Sequence, residues 1–178
     1  MLFAHDTEMA LLAAVRLANS ADEPDTLDTV EALDAFYEEF SYTGRHRRTR
    51  EELDEVRALR PTLRTLLTSE RDEAVRRVNA LLAEHRAVPR LTRHDGWDWH
   101  LHAVDDDQPL ATRIAVETAM AMIDVIREDE MSRLSICADD DCEGIVLDLS
   151  RNRSKRFCSV TCGNRNAVAA YRARQAAD

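Results

Sequence analysis

The chain is poor in the residues that break up structure. Of its 178 residues only four are glycine and four proline, and neither type clusters. Low-complexity tracts and internal repeats are absent with them. No apolar run approaches the roughly 20 residues a bilayer-spanning helix needs. The opening Met1-Leu2-Phe3-Ala4-His5-Asp6 has no basic region followed by an apolar stretch, so no secretion signal is read and a cytoplasmic location is expected. There is no Walker sequence, no Gly-rich phosphate loop and no Ser-His-Asp order in a supporting motif. Carboxylates are abundant, but none stands out as a catalytic pair, and an enzyme is not expected. Lysine is nearly missing: Lys155 stands alone among 24 basic residues, a bias from which no function is drawn. Cysteine is missing from the first 136 positions.

What is present describes a globular protein, with 44% hydrophobic and 33% charged residues. The length suffices for one sizeable core plus a small satellite domain. The net charge of −10 argues at first against nucleic acid. The charge is uneven, however. From Ser150 onward Arg151, Arg153, Lys155, Arg156, Arg165, Arg172 and Arg174 face the single acid Asp178. A basic end on an acidic body is the asymmetry expected when one end meets a polyanion; a solvated basic tail has the same composition.

The N-terminal two-thirds reads as helical. Asp6 can cap a first helix with Met9, Leu12, Ala13, Val15 and Leu17 on its apolar face. Asp25 or Thr26 opens a second, carrying Leu27, Val30, Leu33, Phe36, Tyr37 and Phe40, and Gly44 ends that region. Thr49 and Glu52 have the spacing of a capping box and open a third helix. Pro61 should kink or split it. Glu70 to Glu84 is a fourth, with Val75, Val78, Leu81 and Leu82 inward. Then the period changes. Trp97, Trp99, Leu101 and Ala103 alternate with Asp98, His100 and His102, as in a half-buried strand. Asp95-Gly96 marks a hairpin turn and Arg90 to His94 the partner strand. A fifth helix runs from about Pro109 to Glu130. The composition shifts after Met131, giving a helical domain over 1–130 and a small domain over 131–178.

The four cysteines, Cys137, Cys142, Cys158 and Cys162, form two close pairs fifteen residues apart. Disulfides are disfavoured in the cytosol, and no Cys-x2-Cys redox motif is present. Two such pairs suit one tetrahedral Zn²⁺ per chain held by four thiolates. With every position filled by sulfur no place is left for water, so the expected metal is structural. It would fold a segment too small to bury its own core. Between the pairs Ile145, Val146, Leu147 and Leu149 are β-prone and predict a short hairpin. Ser159 can cap a final alanine-rich helix with Cys162 in its first turn. The expected fold class is therefore α+β and mostly helical: a helical domain with one β-hairpin, followed by a treble-clef-like finger.

Ser150-Arg151-Asn152-Arg153-Ser154-Lys155-Arg156-Phe157-Cys158-Ser159, with Cys162-Gly163-Asn164-Arg165 after it, resembles the bacterial CGNR zinc finger family over roughly Leu134 to Arg174. Residues from about 3 to 127, opening with a helix that ends in Leu17-Ala18-Asn19-Ser20, are similar to the ABATE domain that accompanies this finger, a domain described as a stress-induced transcription regulator. The resemblance implies zinc at the four cysteines, double-stranded DNA as partner and a role in transcription. Two departures stand out. Ala167 occupies a place where many members carry lysine, and the loop between the first two cysteines is acidic at Asp139, Asp140 and Asp141. Both lower the expected phosphate contact.

Phosphate contacts supply most affinity for DNA. Arg151, Arg153, Lys155 and Arg156 precede the third cysteine, where they could grip a backbone. Asn164 and Arg165 lie early in the final helix, where Asn can pair with adenine and Arg with guanine. So close to a ligand they can equally hydrogen-bond the zinc knuckles, the preferred reading for Asn164. Arg172 and Arg174 are read as phosphate contacts and Tyr171 as packed on the hairpin. Trp97 and Trp99 are expected in the core, or lining a pocket for a small-molecule effector. His100, His102 and Asp98 read as a wet sheet face, and Arg45-His46-Arg47-Arg48 as an exposed loop. The function expected is a DNA-binding transcriptional regulator with a sensing or dimerising N-terminal domain, acting as a homodimer. A zinc-clipped protein-interaction module without nucleic-acid binding is the alternative.

Overall fold

Two long helices, laid against each other, form the spine of the molecule in the computed structural model, which describes residues 3–93, 96 and 98–177. They are α1 (His5–Asn19) and α6 (Leu110–Arg127). Small residues allow the close approach: Ala13, Ala14 and Ala18 on α1 and Ala115, Ala119 and Ala121 on α6 are buried beside Leu11, Leu17, Leu110, Ile114 and Met122. Around this pair pack α2 (Val30–Glu39), α3 (Arg50–Ala58), α4 (Arg60–Leu67) and α5 (Arg71–Glu84). Pro61 splits the expected third helix into α3 and α4, sitting in the first turn of α4, where its missing N–H costs nothing.

The helix starts depart from expectation in instructive ways. Asp6 lies inside α1, and Ala4 stands at its cap. Thr29, not Asp25 or Thr26, caps α2 by accepting the Ala32 amide. Asp25 is drawn off by stronger partners: Arg60 binds both its carboxylate oxygens, at 2.8 and 2.9 Å, and Arg57 adds a third bond at 2.8 Å. Thr49 caps α3 as the capping box predicts. The Glu52 carboxylate instead turns to His46 Nδ1 and to the Arg47 and Arg48 amides. The run from Arg45 to Arg48 is thus held to the body, with His46 also contacting Asp34 and Arg47 contacting Glu55. Gly44 has φ +80°, and a Cβ there would meet the Asp106 carbonyl oxygen at 2.5 Å. Only glycine fits this crossing of loops. Buried Arg113 secures it by donating to the Thr43, Arg45 and Gln108 carbonyls.

The hairpin after α5 pairs β1 (Arg90–Thr92) with β2 (His100–His102), antiparallel, with Leu91 opposite Leu101. Two residues of the expected inner face point the other way, while Ala103 is buried as expected. Trp99 is 64% exposed and Leu101 43% exposed, whereas His102 turns inward. Alternation gave the strand but not its polarity, because the imidazoles find partners in Asp98, Asp106 and each other. Trp97, His94 and Asp95 lie outside the described residues. Val75 is also more exposed than expected, at the edge of the α5 face.

After α6 a single 3-10 turn (Met131–Arg133) leads into β3 (Leu134–Ile136), which pairs antiparallel with β4 (Ile145–Leu147), Leu134 opposite Leu147. The expected hairpin therefore exists with a different partner: β4 pairs backward with the segment preceding Cys137, not forward within the stretch between the cysteine pairs. Its Leu134, Ile145 and Leu147 join the same apolar core as α1, α4 and α6. The chain ends in α7 (Val160–Ala177), exposed nearly all round beyond its first turn.

Candidate metal centre

The β3–β4 hairpin is the local device that gathers the first two cysteines. Cys137 follows β3 directly, and its amide bonds the Gly144 carbonyl at 2.8 Å, closing the Cys137–Cys142 loop. Inside the loop Asp139 folds the chain by accepting the Asp141 amide on its side chain and the Cys142 amide on its carbonyl. The second pair arrives at the start of α7. Ser159 Oγ accepts the Cys162 amide at 3.2 Å, so serine caps the helix and places Cys162 in its first turn, as expected. The two halves meet through the Ala138 amide, which donates to the Arg156 carbonyl at 2.9 Å.

All four Sγ atoms lie within 4.8 Å of one another, with Cys142–Cys158 at 3.5 Å and Cys158–Cys162 at 3.8 Å. Tetrahedral zinc with sulfur at about 2.3 Å places its sulfurs about 3.8 Å apart, so the cage has the size of that ion. All four thiols are free. Backbone amides already point at sulfur: Gly144 N–H at Cys142 and Cys158 N–H at Cys137, both at 3.4 Å. A Cβ on Gly144 would come within 2.8 Å of the Cys158 sulfur, so the cage requires glycine there. Burial and the crowding of neighbouring thiols push the Cys158 thiol well above its usual range, and burial raises Cys142. Next to Cys162 the Ser159 hydroxyl acts the other way and holds that thiol down, with help from Arg165. A dication would stabilise four thiolates together, and the donor set, spacing and amide dipoles fit one. A small apolar cluster of Val146 and Phe157 backs the cysteines.

The basic residues fall into two groups. Arg165 Nε donates to the buried Asp139 carboxylate at 2.8 Å, and its Nη2 reaches Cys162 Sγ at 3.5 Å. Arg153 pairs with Glu130 at 2.8 Å and touches Ser132. Arg151, Lys155, Arg156, Arg172 and Arg174 are exposed, and among the described residues none forms an ion pair. Arg156 lies over the Phe157 ring at 5.8 Å. The loop bearing the first three is folded around Asp148, whose buried carboxylate accepts the Ser150 and Lys155 amides. Asn164 is exposed; the amide that bonds the knuckle backbone belongs to Asn166, which donates to the Cys162 carbonyl at 3.1 Å. Tyr171 is 58% exposed and does not pack on the hairpin, because α7 has left the body by that point. Trp99 lies away from the cavity between α1 and α6, whose strand-side wall is His100, Leu101 and His102.

Sequence reasoning missed the residues that attach the cysteine segment to the helices. The Asn19 side chain makes two hydrogen bonds to Ile145, and Arg64 donates to the Glu143 carbonyl at 2.7 Å. Buried Arg133 binds the Asp148 and Ser150 carbonyls and Glu130. Only the buried polar character of such residues distinguishes them, and that is invisible without the fold.

Two family profiles match the chain. One, described as "Putative stress-induced transcription regulator" and named ABATE, matches residues 12–129; the other, the CGNR zinc finger, matches residues 133–175. No curated protein matches it.

Proposed function

The chain belongs to the ABATE family and ends in a CGNR zinc finger, and on that premise we propose that it is a DNA-binding transcription regulator of the stress response. In this reading Cys137, Cys142, Cys158 and Cys162 hold one structural Zn²⁺ per chain, and the bound ion fixes the angle at which α7 leaves the body. The ion supplies cross-linking, not chemistry: four sulfurs leave it no open position. The protein would act in the bacterial cytoplasm; no helix among the described residues is long and apolar enough to cross a membrane.

The observation that carries the reading is the set of five unpaired cations around the finger. Arg151, Lys155 and Arg156 stand on the loop before Cys158, and Arg172 and Arg174 on a helix that buries almost nothing beyond its first turn. A helix exposed on all sides gains little from the fold and is placed to gain from a partner. Phosphate contacts by these five, with Asn164 near the helix start available for a base edge, give the duplex reading its chemistry. Arg153 and Arg165 contribute less directly, being engaged by Glu130 and Asp139. The units 1–130 and 131–178 would act as body and reader. A single short helix covers little duplex, so a homodimer reading two half-sites is part of the proposal.

Fluorescence anisotropy of zinc-loaded protein with duplex DNA across a salt series tests this. Affinity should fall steeply as salt rises, and Arg172→Ala with Arg174→Ala should weaken binding to all sequences alike. Undetectable binding at low salt sinks the DNA reading. Val168 and Tyr171, exposed on the same helix, favour the second reading, a protein-docking module with the metal as clip only. In that case the zinc site would persist while DNA affinity is absent.

A further inference from the structure

Between α1 and α6 lies a cavity of about 220 Å³ that no residue of the finger lines. Asp6, Thr7, Met9 and Ala10 of α1 form one wall, and the Phe40–Thr43 segment another. Strand β2 closes the third side, and α6 supplies Glu117, Met120, Ile123 and Asp124. Most of this surface is apolar. Two of its three carboxylates, Asp6 and Asp124, are committed to neighbouring groups. Thr7 Oγ1 donates to Asp124 at 2.6 Å, and Asp6 accepts the Thr7 and Leu101 amides. His100 and His102 bond each other at 3.1 Å, while Asp98 and Asp106 take their other nitrogens.

Glu117 is the exception. It lines the cavity half-buried, and among the described residues nothing hydrogen-bonds its carboxylate. The nearby Arg113 guanidinium is spent on the Thr43, Arg45 and Gln108 carbonyls. A carboxylate left without a partner in an apolar cavity is costly to the fold, and Asp6 and Asp124 on the adjoining walls add charge of the same sign. Arg127, exposed at the end of α6, is the only arginine in the lining among the described residues.

We infer that this cavity is a binding site for a small organic cation, a protonated amine on an apolar body, with Glu117 as its ion-pair partner. The ammonium group meets Glu117, and the apolar portion lies against Met9, Phe40, Met120 and Ile123. The volume suits a molecule of about ten to fifteen heavy atoms. The site stands independently of DNA binding, since it is built entirely from the helical body.

Calorimetric titration of the zinc-loaded full-length protein with 2-phenylethylamine tests it, alongside the neutral 2-phenylethanol and the anionic 3-phenylpropionate. The amine should bind saturably at one site, the alcohol at least about tenfold more weakly, and the carboxylate not at all. Glu117→Gln keeps the shape and should reduce amine affinity by a similar factor. Ile123→Trp fills the cavity without altering a charge and should abolish binding, which decides the matter if the first variant does not fold. Equal binding of amine and alcohol, unchanged amine affinity in both variants, or no saturable amine binding overturns the proposal.

Discussion

The side-chain amide of Asn19 makes both of its hydrogen bonds to the backbone of one residue, Ile145, donating to the carbonyl and accepting from the amide, each at 2.8 Å. Asn19 is the last residue of α1 and Ile145 the first of β4, so the helix end behaves as an extra strand edge for the finger hairpin. Ile145 is fully buried, and its backbone groups have no water to fall back on. Asn19→Ala should therefore cost about 2 kcal/mol, the penalty for leaving buried polar groups unsatisfied. Asn19→Asp should cost as much or more, because a carboxylate would face the Ile145 carbonyl. Denaturant melts of the zinc-loaded protein measure both. An alanine variant as stable as wild type would show that the joint carries no load.

The shared core predicts how the protein responds to metal loss. Leu134, Ile145 and Leu147 belong to the finger hairpin yet pack with α1, α4 and α6. Stripping zinc with a strong chelator should therefore lower the melting temperature of the whole molecule, as loss of any ligand specific for the folded state does. Helical circular dichroism should melt in one transition at a lower temperature. A body that melts at its original temperature after the finger unfolds would contradict the shared core.

The clustering of the four cysteines and the Ser159 cap were legible because spacing records chemistry. Helix positions were legible because apolar periodicity records burial, and Pro61 broke its helix where a proline must. What sequence could not give was choice among competing partners. Asp25 had the look of a cap but was taken by Arg60. The strand with Ile145 was expected to pair within the stretch between the cysteine pairs and instead joined the segment before Cys137, where the Cys137 amide bonds the Gly144 carbonyl. The tryptophan face of the hairpin carried the stronger hydrophobic signal, yet Trp99 faces outward because His100 and His102 have partners to satisfy. The Glu117 cavity had no sequence signature, as it is assembled from four separate segments.

Arg165 of the Cys-Gly-Asn-Arg motif offers a separable test of structure against recognition. Its guanidinium joins buried Asp139 to the Cys162 sulfur, so its first role is to hold the cage. Arg165→Ala and Asp139→Asn should each weaken zinc retention by about 10- to 100-fold, the range found for groups that orient metal ligands. Arg172→Ala, about two turns further along the same helix face and without such a contact, should leave zinc affinity unchanged. Competition with a chromophoric chelator reads all three. Equal zinc affinity in Arg165→Ala and wild type would return Arg165 to the set of free cations available to DNA.

Glu117 predicts an inverted dependence of stability on pH. Burial raises its pKa from 4.5 to about 7, with Asp106 and Asp6 pushing the same way and Arg113 opposing. In the unfolded chain the carboxyl ionises near 4.5; in the fold it keeps its proton until about 7. The folded state thus binds more protons across that window, and the linkage relation makes stability fall as pH rises through it. Most acidic groups with partners act in the opposite sense, Asp25 among them, held down to about 2 by Arg60. Glu117→Gln removes the charge while keeping the shape. It should match wild type near pH 4 and exceed it above pH 7, by on the order of 2–3 kcal/mol. Thermal melts of both proteins from pH 4 to pH 8.5 would display the divergence. A constant offset between the curves would mean that Glu117 ionises in the fold as freely as in water. Divergence would instead identify a carboxylate kept at a cost to stability, as expected of a group retained for binding.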